Sequence, residues 1–233
     1  MAARHGITSA TEITNIIIAD VVLIIAFSLT IAGGIPGFSS SQSKALSTFL
    51  HYLPIAAVGV SLGFILHELM HKFLAQRYGA AAEFRTSWMG LAITLATGAF
   101  GFLLGIPGAT MIYTDRFTDR ENGMVSLAGP LTNFAVFAIF FAISLFVHPA
   151  SNSYLSQAIS FVIFINILLA FFNMLPIYPL DGSKVLRWNK PIYFITMAII
   201  FALMVLFTSI GIISILIIVG IALFFSLFYR VAL

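Results

Sequence analysis

The chain contains no cysteine, so neither a disulfide framework nor a thiolate metal site is available to it. Any metal must be held by nitrogen and oxygen donors. Charge is nearly as scarce: Asp, Glu, Lys and Arg make up 8% of the residues against 61% hydrophobic ones, and the mean hydropathy is +1.08. That balance excludes an ordinary soluble domain and describes an integral membrane protein. Histidine occurs five times in 233 residues, as His5, His51, His67, His71 and His148, too few for the clustered ligands of a membrane di-iron oxidase. The opening MAARHGITSATEITN is too polar for a removable signal peptide, and no repeat, low-complexity linker or soluble appendage interrupts the apolar pattern. The expectation is one membrane domain over 1–233. The net charge of +3 carries no nucleic-acid signature, because in such a chain basic residues report orientation.

What the sequence does have is apolar runs of about 20 residues, the length that crosses a bilayer. Six lie at 13–33, 54–75, 123–147, 154–175, 191–208 and 210–228. A seventh apolar stretch, 87–106, differs, since Gly90, Gly98, Gly101 and Gly105 weaken a helix there and suit turns and strands. Charge placement separates the alternatives. If this stretch turns back without crossing and the amino terminus is cytoplasmic, then Arg4, Lys72, Arg77, Arg85, Arg116, Arg120, Lys184, Arg187, Lys190 and Arg230 share the cytoplasmic side, 10 of the 11 basic residues. The predicted fold is therefore an all-α integral membrane protein, with six transmembrane helices and a re-entrant membrane-embedded β-hairpin or loop between the second and third. Both termini are expected in the cytoplasm, and the membrane is expected to be the plasma membrane of a prokaryote. Non-helical backbone at that depth must be shielded by protein or line a wet cavity, so a strand hairpin is expected beside the second span.

That second span carries His67-Glu68-Leu69-Met70-His71. Residues four apart share a helix face, so the two imidazoles can grip one metal ion while Glu68 stays free as a base. Ionisable groups in a hydrocarbon layer are costly unless paired or metal-bound, which sharpens the functional reading. A hydrolytic zinc site needs a third protein ligand and an open fourth position. Asn173-Met174-Leu175-Pro176-Ile177-Tyr178-Pro179-Leu180-Asp181-Gly182 supplies it: two prolines and a glycine make the backbone irregular at the end of another span and let Asp181 aim inward. Glu12, Asp115, Asp119 and Glu121 read as solvated interfacial charge, and Asp20 as either a polar lining of the first span or a snorkelling group. His51 and His148 are expected on the outer side, away from the cluster.

The HELMH cluster, followed by Leu127-Ala128-Gly129-Pro130-Leu131-Thr132-Asn133 and then by the Asn-x-x-Pro-x-x-Pro-Leu-Asp-Gly element, resembles the site-2 protease family of intramembrane zinc metalloproteases. The resemblance runs over about 54–186. It implies one Zn2+ held by His67, His71 and Asp181, with Glu68 and Asn173 as catalytic residues, Asn173 lying near the scissile carbonyl. It also places Gly105, Ile106, Pro107 and Gly108 in a substrate-binding strand. The substrate so implied is a transmembrane helix of another membrane protein within the lipid bilayer. Met70 and Ser183 stand where the family commonly has glycine, which touches local packing and no ligand. The rival readings are a divalent-cation transporter and a catalytically silent relative that only binds.

Overall fold

The computed structural model describes residues 8–105, 107–114, 117–147 and 153–208. Helix α1 (Ala10–Ile31) starts where the Ser9 hydroxyl accepts from the Glu12 amide, a cap for an otherwise orphan donor. A short α2 (Gly34–Ser40) leads into α3 (Gln42–Arg77), the 36-residue helix that carries HELMH. Strand β1 (Ala81–Thr86), helix α4 (Trp88–Ala99) and strand β2 (Gly108–Tyr113) follow. Then come α5 (Asp119–Val147), α6 (Tyr154–Asn173), the short α7 (Asp181–Trp188) and α8 (Lys190–Phe207). Five of these, α1, α3, α5, α6 and α8, are long and apolar enough to cross a membrane. The sixth expected span, 210–228, lies outside the described residues.

Two expectations about the apolar runs need correction. The second span does not begin at Pro54; the helix runs through that proline from Gln42. The glycine-rich stretch is not a hairpin in itself: its centre is the helix α4, which at 12 residues rises about 18 Å, short of the roughly 30 Å hydrocarbon layer. The strands flank it instead. β1 and β2 pair antiparallel from Ala81↔Tyr113 to Thr86↔Gly108, with α4 inserted as the connection. Gly108 opens β2 at φ +144°, and a Cβ there would come within 2.9 Å of the Phe84 ring and the Thr86 Cα, so glycine is what allows the strands to approach.

In lipid the hydrophobic effect does not drive helices together, and close packing and interhelical hydrogen bonds must hold them. α3 meets α6 through Gly59 and Gly63, four residues apart. A Cβ on either would lie 2.7 Å from Phe161 or Leu169 side-chain carbon. Phe64, Phe84 and Ile165 fill the space between α1, α3, β1 and α6, and Phe171, Met174, Val185 and Met204 fill a second core among α6, α7 and α8.

Glu12 is not the solvated charge expected of it. It is 1% exposed and pairs with Lys72, equally buried, while its second oxygen accepts from the Phe84 amide at 3.1 Å. One carboxylate thus ties the start of α1 to the end of α3 and to β1. Asp20 is buried as well; Ser61 donates to its Oδ2 at 2.6 Å. Breaking a buried pair by removing one partner strands the other, at about 3–5 kcal/mol, whereas replacing both with apolar groups is close to neutral. Glu12→Gln is therefore expected to lower the thermal unfolding midpoint in detergent by more than the double variant Glu12→Leu with Lys72→Met.

Candidate metal centre

α3 presents His67 and His71 one turn apart, their rings edge to face with centroids 4.6 Å apart. The third donor comes from α7. Where α6 ends at Asn173, Pro176 and Pro179 cannot supply helical N–H groups, and the chain turns through Leu180 N–H to Ile177 O at 2.7 Å before α7 starts at Asp181. Gly182 packs directly on the Met174 carbonyl, where any side chain would clash, and this close approach swings the Asp181 carboxylate under α3.

Asp181 Oδ2 lies 3.3 Å from His67 Nε2 and 3.1 Å from His71 Nε2, and the two nitrogens are 3.0 Å apart. All three residues are buried. The ring tautomers follow from what lies behind the rings. Asn133 donates its amide N–H groups to Gly63 O at 2.9 Å and Asn166 Oδ1 at 3.0 Å, so its Oδ1 is an acceptor, and it faces His67 Nδ1 at 2.6 Å. His71 Nδ1 faces the Val125 carbonyl at 2.8 Å. Both Nδ1 atoms must then carry the proton. In the neutral rings both Nε2 atoms are bare lone pairs, aimed at each other and at a carboxylate oxygen.

Three lone-pair donors at such separations repel unless a cation lies among them. Tetrahedral zinc with bonds of 2.0–2.1 Å sets its ligands about 3.3 Å apart, close to the edges found here. The donor set fits the ion. Backing of a ligand imidazole by an amide oxygen or a carbonyl is also the usual support of such sites. The other oxygen of Asp181 lies 3.7 Å from Lys184 Nζ. Room for the cluster comes from α5: a Cβ on Gly129 would sit 2.5 Å from His67 Nε2 and His71 Nε2.

A model of the family described as peptidase family M50 matches residues 143–210, which hold Asn173 and Asp181. The chain is 46% identical to MJ0611 of Methanocaldococcus jannaschii over 140 residues, covering 60% of this chain and 72% of that protein. The chain belongs to peptidase family M50, the site-2 proteases. A further relative of this M50 member is YwhC of Bacillus subtilis, 26% identical over 61% of this chain and 74% of its own length; MJ0611 and YwhC both bear the name "putative zinc metalloprotease". "Zinc metalloprotease MJ0392", also of M. jannaschii, is 29% identical over 53% of this chain and 30% of its own length. No solved structure matches the chain.

The structure brings together His67, His71 and Asp181, and Glu68 follows His67 on α3. Asn173 lies at the end of α6, where it donates one amide N–H to Leu169 O at 3.0 Å. Of the expected substrate strand, Gly108 opens β2, the Pro107 carbonyl accepts from Ser87 N, and Gly105 precedes the strand; Ile106 is outside the described residues. His51 is remote and bonds Gln157 at 2.7 Å. Gly129 and Asn133 belonged to a recognised signature, but their contact with the imidazoles was not readable from it. Nor was the role of Val125, whose carbonyl carries no side-chain signal. Loss of such backing groups costs about 10- to 100-fold in metal affinity. Asn133→Ala is expected to weaken zinc binding by that factor in a chelator competition, and Gly129→Ala to weaken it at least as much by displacing both imidazoles.

Proposed function

We propose that this chain is an intramembrane protease that hydrolyses peptide bonds within transmembrane segments of membrane-protein substrates. The coarser statement, a zinc metalloprotease in a membrane of several apolar helices, follows from its family and its composition. The observation that carries the finer one is the convergence of His67, His71 and Asp181 on a buried point of two elements, with the carboxylate of Glu68 on the same helix, inside a bundle whose helices are long enough to span a bilayer.

Zinc at His67, His71 and Asp181 would supply Lewis acidity toward a carbonyl and bring the pKa of a water near 7. The chain's own residues do the rest. Glu68 is the proton acceptor for the attacking water and returns the proton to the leaving amine, the role for which a carboxylate beside the ligands is suited. Among the described residues Asn173 commits only one amide N–H, to Leu169, and the other is proposed to be donated to the substrate carbonyl as negative charge builds there; one such donor is typically worth about 3–4 kcal/mol in the barrier.

A helical peptide bond is shielded by its own turn, so the substrate must unwind before it is cut. Its freed amides then need partners away from water. The outer edge of β2, which Gly108 opens and Gly105, Ile106 and Pro107 precede, is proposed to supply them by strand addition, with β1, α4 and β2 forming a re-entrant unit beside α3. The active site faces the cytoplasmic half of a prokaryotic plasma membrane in this reading, in keeping with the bias of basic residues.

The deciding test is cleavage of a transmembrane peptide by purified protein in detergent or liposomes. Wild type is expected to cut, Glu68→Gln to lose activity by about 1000-fold or more, and a chelator to abolish it reversibly on zinc addition. Equal product in all three samples, or zinc flux into liposomes without cleavage, would end this reading.

A further inference from the structure

We propose that Thr110, in the middle of β2, is the positioning residue of Glu68. The inference rests on the protease reading above and extends it to a residue that the sequence patterns do not mark.

In the ladder Thr110 stands opposite Phe84. The Phe84 amide donates away from β2 to Glu12, and the Thr110 amide donates away from β1 to Glu68 Oε2 at 3.0 Å. The two residues therefore form the kind of antiparallel pair that exchanges no hydrogen bonds, and both N–H groups point out of the sheet into a buried carboxylate. The Thr110 hydroxyl adds a second donor. It lies 2.9 Å from the same Oε2 and 3.2 Å from the Glu68 main-chain carbonyl. The charged and nearer acceptor is the stronger of the two.

Oε2 is thus held by two donors from one residue on a strand, while Oε1 takes no hydrogen bond among the described residues. A carboxylate held at one oxygen cannot swing about its last torsion, and the free oxygen keeps a fixed aim. The backbone N–H alone leaves a pivot; the hydroxyl removes it. Thr110 also belongs to the strand on whose edge the substrate is proposed to lie, so strand and proton acceptor move as one unit. The Thr110 amide, being occupied, is withdrawn from that edge, and substrate pairing must run through the outward groups of Gly108 and Ile112 on either side.

A residue that aims the acceptor without touching substrate changes turnover and leaves binding alone. Thr110→Val, which keeps shape and amide but not hydroxyl, is expected to lower kcat by about tenfold or more with KM for a transmembrane peptide within about twofold, and Thr110→Ser to return kcat to within about threefold of wild type. Wild-type kcat in Thr110→Val, a loss carried by KM, or equal impairment of the serine and valine variants would each overturn the proposal. A second measurement does not depend on activity. Amide exchange of the β2 peptide in the metal-free protein is expected to quicken about tenfold in Glu68→Ala and to stay within about threefold in Glu68→Gln, which keeps an acceptor. Unchanged exchange in Glu68→Ala overturns the Thr110 tie while leaving the protease reading standing. Faster exchange in Glu68→Ala with no cleavage by wild type overturns the protease reading and leaves the tie standing.

Discussion

Two imidazole nitrogens and a carboxylate oxygen share a space of about 3 Å, each with a lone pair turned inward. Without a cation that arrangement is repulsive, and with the rings turned to relieve it the site would be lost. What prevents the turn is the pair of acceptors behind the rings, Asn133 Oδ1 and the Val125 carbonyl, which fix a proton on each Nδ1. Asn133 can serve only because its own N–H groups are already committed to Gly63 and Asn166. The bundle is therefore built so that helices α3, α5 and α6 meet at one amide group, and the glycines at 59, 63 and 129 exist to let them come that close.

The same rule governs the carboxylates. In a bundle with little water, each buried acid is stable only with donors aimed at it, and the small sheet supplies them twice. Phe84 N–H serves Glu12, which also holds Lys72, and Thr110 N–H serves Glu68. A two-stranded sheet is marginal on its own. Here its outward amides are its anchorage, one to α1 and the other to α3, so it is positioned by the residues it orients. Asp20, with Ser61 on one oxygen, shows the contrasting case of a buried acid with fewer donors.

The elements that were legible in the sequence are those set by local pattern. Apolar length gave α1, α5, α6 and α8 to within a few residues, and two histidines at helical spacing marked α3 as the metal helix. Asp181 was legible because prolines and Gly182 announce an irregular turn beside an acid. The start of α3 was misjudged, because Pro54 costs a helix one hydrogen bond, and the apolar neighbours on both sides outweigh that cost. The helical centre of 88–99 was misjudged too: glycine disfavours a helix in isolation, but Gly98 is packed against α1 at Ala26, where only a residue without a side chain fits.

Composition and spacing by themselves determined that this chain lies in a membrane, that its metal must be held by nitrogen and oxygen donors, and which residues are the candidates, since ligand types and helical periodicity are properties of short stretches. Only the tertiary structure decided how the imidazoles are locked, that Glu12 and Lys72 are a buried pair, and that a strand threonine grips the carboxylate of Glu68. Those contacts join residues 42 to 72 positions apart. Their partners are backbone carbonyls, backbone amides and common polar side chains, which acquire meaning only from where the packed helices place them.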